Sequence, residues 1–475
     1  MSTFGGLNTA YLGLTAARQG MNLAGQNIAN ATTDGYTRQR IEQSAVGAPV
    51  PTGLNAAGIQ AGQGVSVDGI ARLGSTFLDA GVRSSAAQAG YTGFRSAELQ
   101  RIEGTLQEPG PHGISTALQG FWAAWQGVSN HPGEAAPAGV LLQAASALAG
   151  SVSAGYQALD SQWTRVRSEA NGTVAAVNEA AARVAGFNTA IRSVLASGGS
   201  ANELIDARNQ VTETIATLAG GTVRDNTDGT VDVFIGGNAL VSGTSHRDLA
   251  LTGQPTMRAG GAPVQLEWAD RPGKPVGLDG GKLAGAVSLL APASAGTDGT
   301  GGAIAEAAAS YNAFAGKLMN DVNTVHRTGQ STTGAGNLDF FTASPTGPAA
   351  LSLRVVPGDA AGIATAAAGS GALDGSIADA LAQLGTAADS PDKSWAGVVT
   401  GIGTLSRSAQ QHEQLANAAS ISAVGQRDSR ASVSLDEENI SLLSNQHAYQ
   451  AAARVMTAVD EALDVLINRT GLVGR

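Results

Sequence analysis

The stretch NLAGQNIANATTDGYTRQ, residues 22–39, carries an apolar helical pattern into a run of polar and turn-forming residues. Asn, Thr and Asp side chains compete for backbone hydrogen bonds, and glycine adopts a positive φ without strain. The stretch therefore predicts that a helix ends at about residue 29. We call residues 27–38 the junction segment and predict that it is a hinge between this helix and the next domain. A plain helix cap and turn is the alternative.

The helix before the junction segment is predicted over residues 4–29. Apolar residues recur in alternating steps of three and four, which places them along one seam of a coiled-coil-like helix. This N-terminal seam consists of Leu7, Ala10, Leu14, Ala17, Met21, Ala24 and Ile28.

Residues 434–470 carry the strongest pattern of the same kind and predict a second terminal helix. Asp436, Glu437 and Glu438 lie at its start, where carboxylates interact favourably with a helix dipole, and we expect them to form a solvated first turn. Asn445 is a polar interruption of the seam. The C-terminal seam consists of Leu435, Leu442, Tyr449, Ala452, Met456, Val459, Leu463 and Leu466.

The sequence between the terminal helices changes its period twice. Helices are predicted over residues 72–107, from a cap at Ser115, over 137–196, and from a Ser200–Glu203 capping box to Leu218. Strand-like sequence follows to about residue 292, and helices return at 302–327 and 394–430.

Two places carry specific strand signals. Val231, Val233 and Ile235 alternate after an Asp228-Gly229 turn, which predicts a hairpin. Residues 65–70 predict a short strand, and the Gly-rich stretch 58–69 that contains it predicts a turn-rich connection.

The patterns together predict a mainly α fold with an inserted β domain. The terminal helices form a coiled-coil-like core domain, the middle domain is a helical bundle, and the outer domain is β-rich. The predicted boundaries give an inner helical domain of residues 1–40 and 431–475, a helical domain of 41–220 and 301–430 with a short β and loop region at 331–370, and a β-rich insertion at 221–300.

Composition excludes several classes of function. The 475 residues carry a net charge of −10 with only 28 Lys and Arg, and no basic patch, so we expect no nucleic-acid partner. Cysteine is absent, which excludes disulfides and thiolate sites. No uninterrupted apolar run reaches the length of a membrane span, and the N-terminus lacks a signal-peptide pattern.

The chain carries no recognisable catalytic motif. Its six histidines lack metal-ligand spacing, and GGKLAG, residues 280–285, lacks the spacing and hydroxyl residue of a phosphate-binding loop. We expect no catalytic site, no cofactor and no metal. The prediction is a structural assembly protein; a soluble helical enzyme or binding domain with an inserted β module is the alternative.

Both ends of the chain resemble one group of proteins. Asn27-Ile28-Ala29-Asn30, followed by Thr33 and the run from Gly35 to Arg38, resembles the N-terminal signature of the bacterial flagellar rod, hook and hook-associated axial proteins. LDEENISLLSNQHAYQAAARVMTAVDEALDVLINR, from residue 435, is similar to their terminal helix. Within the group, residues 202–223, 225–251, 336–342 and 433–443 are most similar to the family that forms the first hook–filament junction.

The resemblance implies a structural component of the flagellum that is exported unfolded by the flagellar type III apparatus. It implies assembly in a ring or helical lattice between the hook protein and the second hook–filament junction protein. It also implies terminal helices that order on assembly, and an export chaperone bound to the C-terminal helix. The chain would be cytoplasmic before export and extracellular afterwards. A hook or distal-rod protein is the alternative within the group.

An assembly interface is therefore predicted along the two terminal helices and the junction segment. Isolated helices are marginal, and burial of each large apolar residue contributes roughly 1.5–3 kcal/mol, so the two seams gain most by packing together or against neighbouring copies. An ordinary intramolecular helix pair is the alternative. The predicted interface residues are Leu7, Leu14, Met21, Asn27, Ile28, Asn30, Gly35, Tyr36, Leu442, Tyr449, Met456, Val459, Leu463 and Leu466.

Overall fold

The computed structural model describes residues 3–47, 62–259, 261–294 and 301–469. The chain begins with α1 (Thr3–Ala29), which confirms the predicted N-terminal helix. An antiparallel pair of strands follows, β1 (Gln39–Val46) and β2 (Gly64–Arg72). β2 packs against α1 and confirms the strand predicted at 65–70. Most of β1 is exposed and lacks apolar alternation, so the sequence pattern did not predict this strand. Residues 58–61 of the predicted turn-rich connection lie outside the described residues.

Four helices then form the first part of the body. They are α2 (Thr76–Leu106), α3 (Ile114–Asn130), α4 (Ala135–Ala196) and α5 (Asn202–Ala219). α4 has the length and composition of a membrane span, but a face of it that includes the fully buried Leu141, Trp163 and Val184 packs in the core. α4 is therefore the central helix of the body.

Two helix starts differ from the prediction. Gly113, and not Ser115, is the N-cap of α3; the Ser115 amide instead donates to the Glu108 carboxylate at 2.7 Å. The predicted capping box before α5 is wrong, because Ala201 is the N-cap and makes no side-chain capping bond. Glu203 instead accepts hydrogen bonds from Gln26, near the end of α1, and from Gln39, at the start of β1.

A β-rich region follows α5. Its four-stranded antiparallel sheet contains β3 (Thr222–Asp225), β4 (Val231–Ile235), β5 (Asn238–Ser242) and β6 (Ser245–His246). A three-stranded sheet contains β7 (Leu249–Thr252), β8 (Gln265–Trp268) and β9 (Arg271–Pro275). The predicted hairpin is confirmed: β3 pairs with β4 across a turn in which Gly229 has a φ of 81°.

The chain returns to helices earlier than predicted. α6 (Gly281–Leu290) occupies sequence that was expected to be strand-like to residue 292, because the Gly- and Pro-rich sequence before it outweighed the signal of a short apolar helix, whose buried face packs on α2. α7 (Ala303–His326) confirms the helix predicted at 302–327.

Short elements lie between α7 and the last two helices. They are β10 (Gly329–Ser331), β11 (Phe341–Thr342), α8 (Ala349–Ser352), β12 (Arg354–Val355), β13 (Ala364–Ala367) and α9 (Ser376–Ala382). They pair in two small antiparallel ladders, β10 with β13 and β11 with β12. This agrees with the loop and short strand region expected there.

Two long helices complete the chain. α10 (Pro391–Ala431) packs along α2 and begins at a Ser390 side-chain cap. α11 (Leu435–Asp464) packs along α1 and continues into a π-helical turn, Val465–Arg469. The helix predicted at 434–470 is confirmed to residue 469, and residue 470 lies outside the described residues. The predicted fold class, mainly α with long terminal helices and a smaller strand-containing region, is confirmed.

Candidate functional site

The two ends of the chain meet along a seam of small residues. A Cβ added to Gly6 would lie 3.6 Å from Val459, one added to Gly13 would lie 3.9 Å from the Ala452 Cβ, and one added to Gly20 would overlap the Asn445 amide. These pairs advance by seven residues on both helices and in opposite directions, so α1 and α11 are antiparallel. Ala10, Ala17 and Ala24, all at most 6% exposed, fill the steps between the glycines.

The predicted N-terminal seam shares its three alanines with this observed seam. Its larger members, Leu7, Leu14, Met21 and Ile28, are half-buried and lie one residue after Gly6, Gly13, Gly20 and Asn27. The glycines repeated every seven residues are therefore the sequence signal of the true contact line, and the predicted seam followed the larger side chains instead.

The predicted C-terminal seam is less covered than the N-terminal one. Leu442, Tyr449, Met456, Val459 and Leu463 are half-buried, and Leu466 is 52% exposed. Glu438 is the one buried residue of α11. Packing on α1 thus leaves much of the apolar surface of α11 open.

Asn27, the first residue of the junction segment, hydrogen-bonds to β1, to α11 and to Tyr36. It is 1% exposed, and its amide nitrogen donates to the Gln39 carbonyl at 2.9 Å and to the Glu438 carboxylate at 3.1 Å. Its amide oxygen accepts from the Tyr36 hydroxyl at 2.8 Å and from the Gln39 N–H at 3.2 Å. Burial, and then the charges of nearby carboxylates, raise the pKa of Tyr36 to about 12, so the hydroxyl remains a donor at neutral pH.

Arg38 joins the junction segment to α11. Its guanidinium contacts the Glu438 carboxylate at 2.6 Å and also pairs with Glu437. The backbone N–H of Arg38 donates to the Ala431 carbonyl at 2.8 Å. The prediction of a solvated first turn for α11 is therefore wrong for Glu438, which is 3% exposed. Its place in the first turn of the helix predicted a solvated carboxylate, because its partners, Asn27 and Arg38, lie at the other end of the sequence.

The body contributes a second group of charges. The Asp206 carboxylate of α5 accepts from the Thr37 N–H at 2.9 Å and forms an ion pair with Arg72 at the end of β2. Arg72 also lies 3.7 Å from Asp79 of α2. Asp206 lies within residues 202–223, for which the sequence shows only a family resemblance, and its role at the junction was not predicted.

Side-chain amides connect the same elements. The Glu203 carboxylate of α5 accepts from Gln26 at 2.8 Å and from Gln39 at 3.1 Å. Asn202 donates to the Gln39 side-chain oxygen at 3.1 Å and to the Ile70 carbonyl at 3.0 Å. Side chains of α5 thus hydrogen-bond both to the end of α1, through Gln26, and to the start of β1, through Gln39.

Two other predicted residues have different surroundings. Asn30 makes short-range contacts, donating to the Gln26 carbonyl at 3.0 Å and accepting from the Thr33 hydroxyl at 3.2 Å. Gly35 has a φ of 75°, and a Cβ there would overlap the side chain of Gln210, which donates to the Asp34 carbonyl at 2.6 Å. Asn30 therefore fits the plain helix cap, whereas Gly35 lies against the body.

A polar cavity of about 510 Å³ lies at the junction between these groups and the end of α10. Its lining includes Asp79, Asp206, Glu213, Arg72 and Arg427. Glu213 pairs with Arg427, but burial outweighs that charge and raises the pKa of the Glu213 carboxyl. Within the described ranges, no group of three or more His, Asp or Glu has a metal-binding arrangement. The chemistry of the site is hydrogen bonding and ion pairing between chain segments.

Comparison with family models places the chain among flagellar proteins. The helical-domain model of flagellar hook-associated protein FlgK matches residues 99–341. The C-terminal model of the flagellar basal body rod FlgEFG proteins matches residues 417–469.

Curated relatives agree with the family models. Flagellar hook-associated protein 1 of Bacillus subtilis is 30% identical over 521 residues, which cover 100% of each chain. Flagellar hook-associated protein 1 of Salmonella typhimurium is 28% identical over 247 residues, 51% of this chain and 44% of the relative.

A solved structure has a similar fold. The flagellar hook junction protein FlgK from Burkholderia pseudomallei superposes with a TM-score of 0.62 over 76% of this chain and 100% of that one, at 15% identity. The full-length match to the Bacillus subtilis protein and the two family models show that the chain belongs to the flagellar hook-associated protein 1 family.

Proposed function

We propose that the chain is an axial structural subunit of the bacterial flagellum that joins hook to filament as the first hook–filament junction protein. Membership of the hook-associated protein 1 family supports the flagellar and structural part of this proposal. The geometry of the chain ends supports the assembly part. In the assembled flagellum the subunit would contact the hook protein on one side and the second junction protein on the other.

The observation that carries the proposal is the incomplete cover of the α1–α11 pair. Ile440 is 69% exposed, Leu443 55% and Val455 51%, although all three lie on a helix already packed against α1. Burial of such exposed apolar side chains against another surface is favourable, because it removes apolar area from water. The intramolecular pair accounts for one face of α11, and neighbouring copies in a ring or helical lattice would cover the rest.

The junction segment fits a hinge between this helix pair and the body. The chain crosses between the two parts at residues 30–38 and again at 432–434, and both crossings line the same polar cavity. We propose the division of the chain on this basis: 1–40 with 431–475 as the inner domain, 41–220 with 301–430 as the helical domain, and 221–300 as the outer insertion. α6, which packs on α2, lies at the inner edge of that insertion.

Export through the flagellar type III apparatus is the proposed route out of the cytoplasm. The absence of cysteine supports export of an unfolded chain, because such a chain cannot form disulfide cross-links on its way out. An export chaperone would bind α11 through its seam at Tyr449, Met456 and Leu463, in a helix-in-groove mode. That seam is half-buried against α1, so chaperone and α1 would compete for it.

The match of residues 417–469 to the rod model favours one alternative, a hook or distal-rod subunit. The match of residues 99–341 to the helical-domain model disfavours it. Binding assays of the purified chain with the hook protein and with the second junction protein separate the two. A first junction protein binds both, and a hook or rod subunit does not bind the second junction protein.

Two experiments test the proposal directly. Limited proteolysis of the purified monomer should rapidly remove about the first 35 and last 40 residues and leave a stable body, because the terminal helix pair is only partly covered. Deletion of the gene should abolish filament growth, and a plasmid copy should restore it. Protease-resistant termini in the monomer would support a soluble binding protein instead. Normal swimming of the deletion strain would contradict the flagellar role.

A further inference from the structure

The seven-residue repeat of small residues on α1 does not by itself select one partner position on α11. Gly6, Gly13 and Gly20 present similar gaps, so a shift of α11 by seven residues, about 10 Å, would preserve the pattern of the seam. Helices with such repeats need a further device to fix their register. The α1–α11 pair carries two polar residues on α11 at this seam.

Asn445 is the first of these residues. Its amide occupies the space above Gly20, where the Oδ1 atom would lie 2.4 Å from an added Cβ. The amide nitrogen is hydrogen-bonded to the Ser441 carbonyl at 2.9 Å. A shift that moved Asn445 one repeat towards the junction would place it against Asn27, where the α1 side chain leaves no gap.

Glu438 is the second polar residue of α11 at this seam. Its carboxylate is buried and accepts from Asn27 and Arg38, at 3.1 and 2.6 Å. The opposite shift would place Asn445 against Gly13, which has a gap, but would move Glu438 against Gly20. The carboxylate would then be buried away from both donors, at a large cost in free energy.

We infer that Asn445, seated over Gly20, and Glu438, bonded to Asn27 and Arg38, together determine the single register in which the two ends of the chain pair. A single buried polar residue is known to specify register in coiled coils at some cost in stability, and here two residues exclude one shift each. The pairing is intramolecular, so the inference does not depend on assembly into a flagellum. It also explains why a polar residue, Asn445, follows Val459 and Ala452 along the line of α11 that faces the glycines of α1.

Engineered cysteines can report the register, because the chain has no cysteine of its own. The Cβ built at Gly13 lies 3.9 Å from the Ala452 Cβ, within the usual range for a disulfide. Gly13→Cys with Ala452→Cys therefore reports the observed register. Gly6→Cys with Ala452→Cys reports the shift that moves Glu438 against Gly20. In the full chain under mild oxidation, the first pair should cross-link and the second should not.

The gap at Gly20 is tested against a matched glycine on the same helix. Gly20→Leu should slow cross-linking of the observed-register pair about tenfold or more, because the leucine fills the space of the Asn445 amide. Gly25→Leu should leave the rate within about twofold, because a Cβ at Gly25 meets nothing within 4 Å. Adding Asn445→Ala to Gly20→Leu should restore most of the rate. Equal effects of Gly20→Leu and Gly25→Leu would overturn the inference.

The rival explanation is that the chain crossings alone hold the register, since the Arg38 N–H is bonded to the Ala431 carbonyl. Combining Glu438→Ala with Asn445→Ala separates the two explanations. The inference expects the shifted-register pair to cross-link in this background. If only the observed-register pair cross-links there, as in the unaltered chain, the crossings determine the register and the inference is wrong.

Discussion

Asn27 and Glu438 are separated by 411 residues in the chain, yet the Asn27 amide donates to the Glu438 carboxylate at 3.1 Å in a buried position. The bond lies where α1 ends, where α11 begins and where the chain enters the body. Glu438 also pairs with Arg38, so one carboxylate ties the first helix, the junction segment and the last helix together.

Asn27→Ala should destabilise the α1–α11 pair by about 1–3 kcal/mol, because the buried Gln39 carbonyl and Glu438 carboxylate each lose a hydrogen-bond donor. Hydrogen exchange of α1 and α11 in the full chain measures this effect. Asn22→Ala is the matched control, since Asn22 lies on the same helix and is exposed. Equal protection of the helices in the two variants would contradict a central role for Asn27.

Arg38→Met should weaken the connection of α11 to the junction segment by about 1.5–3 kcal/mol, because the buried Glu438 loses its charged partner. Arg40→Met, at an exposed position of β1, controls for the loss of one positive charge. Proteolysis rates at the start of α11 should rise in the first variant and remain unchanged in the second. The Arg38→Met effect should persist at high salt, because Glu438 is buried and little screened.

Gly35→Ala should impair the junction more than Asn30→Ala. Alanine at a φ of 75° costs about 1–2 kcal/mol, and its Cβ would displace the Gln210 side chain. Asn30 bonds within its own turn, so its replacement should have a small effect. Filament growth in a complementation assay should fall clearly for Gly35→Ala while the unfolding midpoint of the body is unchanged. If Gly35→Ala lowered the unfolding midpoint of the body as well as filament growth, the result would count against the hinge.

Glu213→Gln should stabilise the junction at neutral pH. Burial raises the pKa of the Glu213 carboxyl despite the Arg427 pair, so the folded state favours the neutral form. A group whose pKa is raised on folding contributes stability below its unfolded pKa and loses that contribution as pH rises through the folded value. The gain from Glu213→Gln should therefore be larger at pH 7 than at pH 4.

The control for Glu213→Gln is Glu42→Gln, at an exposed position of β1. It removes the same charge without changing a buried group, so urea unfolding at pH 4 and pH 7 should give nearly the same shift for it. A Glu213→Gln gain that is independent of pH would show that the buried charge is not its source.

Stability of the body should fall as pH falls below about 6.5 because of His326. This histidine is fully buried; Nδ1 lies 2.7 Å from the Leu338 carbonyl, and Nε2 accepts from the Ala364 N–H at 2.9 Å. Burial lowers the pKa of His326, so the neutral ring is favoured in the folded state. The unfolded chain then binds the proton first as pH falls, and stability is lost down to the folded pKa.

Thermal unfolding between pH 7 and pH 5 checks this prediction. His326→Gln should have a lower unfolding midpoint at pH 7 and a shallower dependence on pH than the unaltered chain. His412→Gln, on an exposed position of α10, should retain both the midpoint and the dependence. An unchanged slope in His326→Gln would assign the pH dependence to other groups.

Much of the fold could be predicted from periodicity. The terminal helices, α4, α7 and the hairpin at Gly229 lie where apolar spacing and turn residues indicated. α6 and β1 were missed, because one is short and glycine-containing and the other is exposed and lacks alternation. Local pattern is informative where one face of an element is buried regularly over several turns or alternations; β1 lacks that regularity, and the buried face of α6 extends over only ten residues.

The site was predicted in part. The junction segment and both seams were located, but Asp206 and Glu203 were not expected there, and Glu438 was assigned to solvent. A stripe of apolar residues identifies which face of a helix is buried, without identifying what covers it. The contact line on α1 therefore lay one residue away from the predicted line of large side chains, on the glycines.

The sequence alone determined that the two chain ends are amphipathic helices, that a polar turn follows the first, and that a β-rich insertion divides a helical body. These are local properties, set by the period of apolar residues and by residues that stop helices. Only the tertiary structure decided that Asn27, Arg38 and Asp206 meet residues more than a hundred positions away. A buried polar group must find a partner, and which partner it finds depends on how distant segments cross in space.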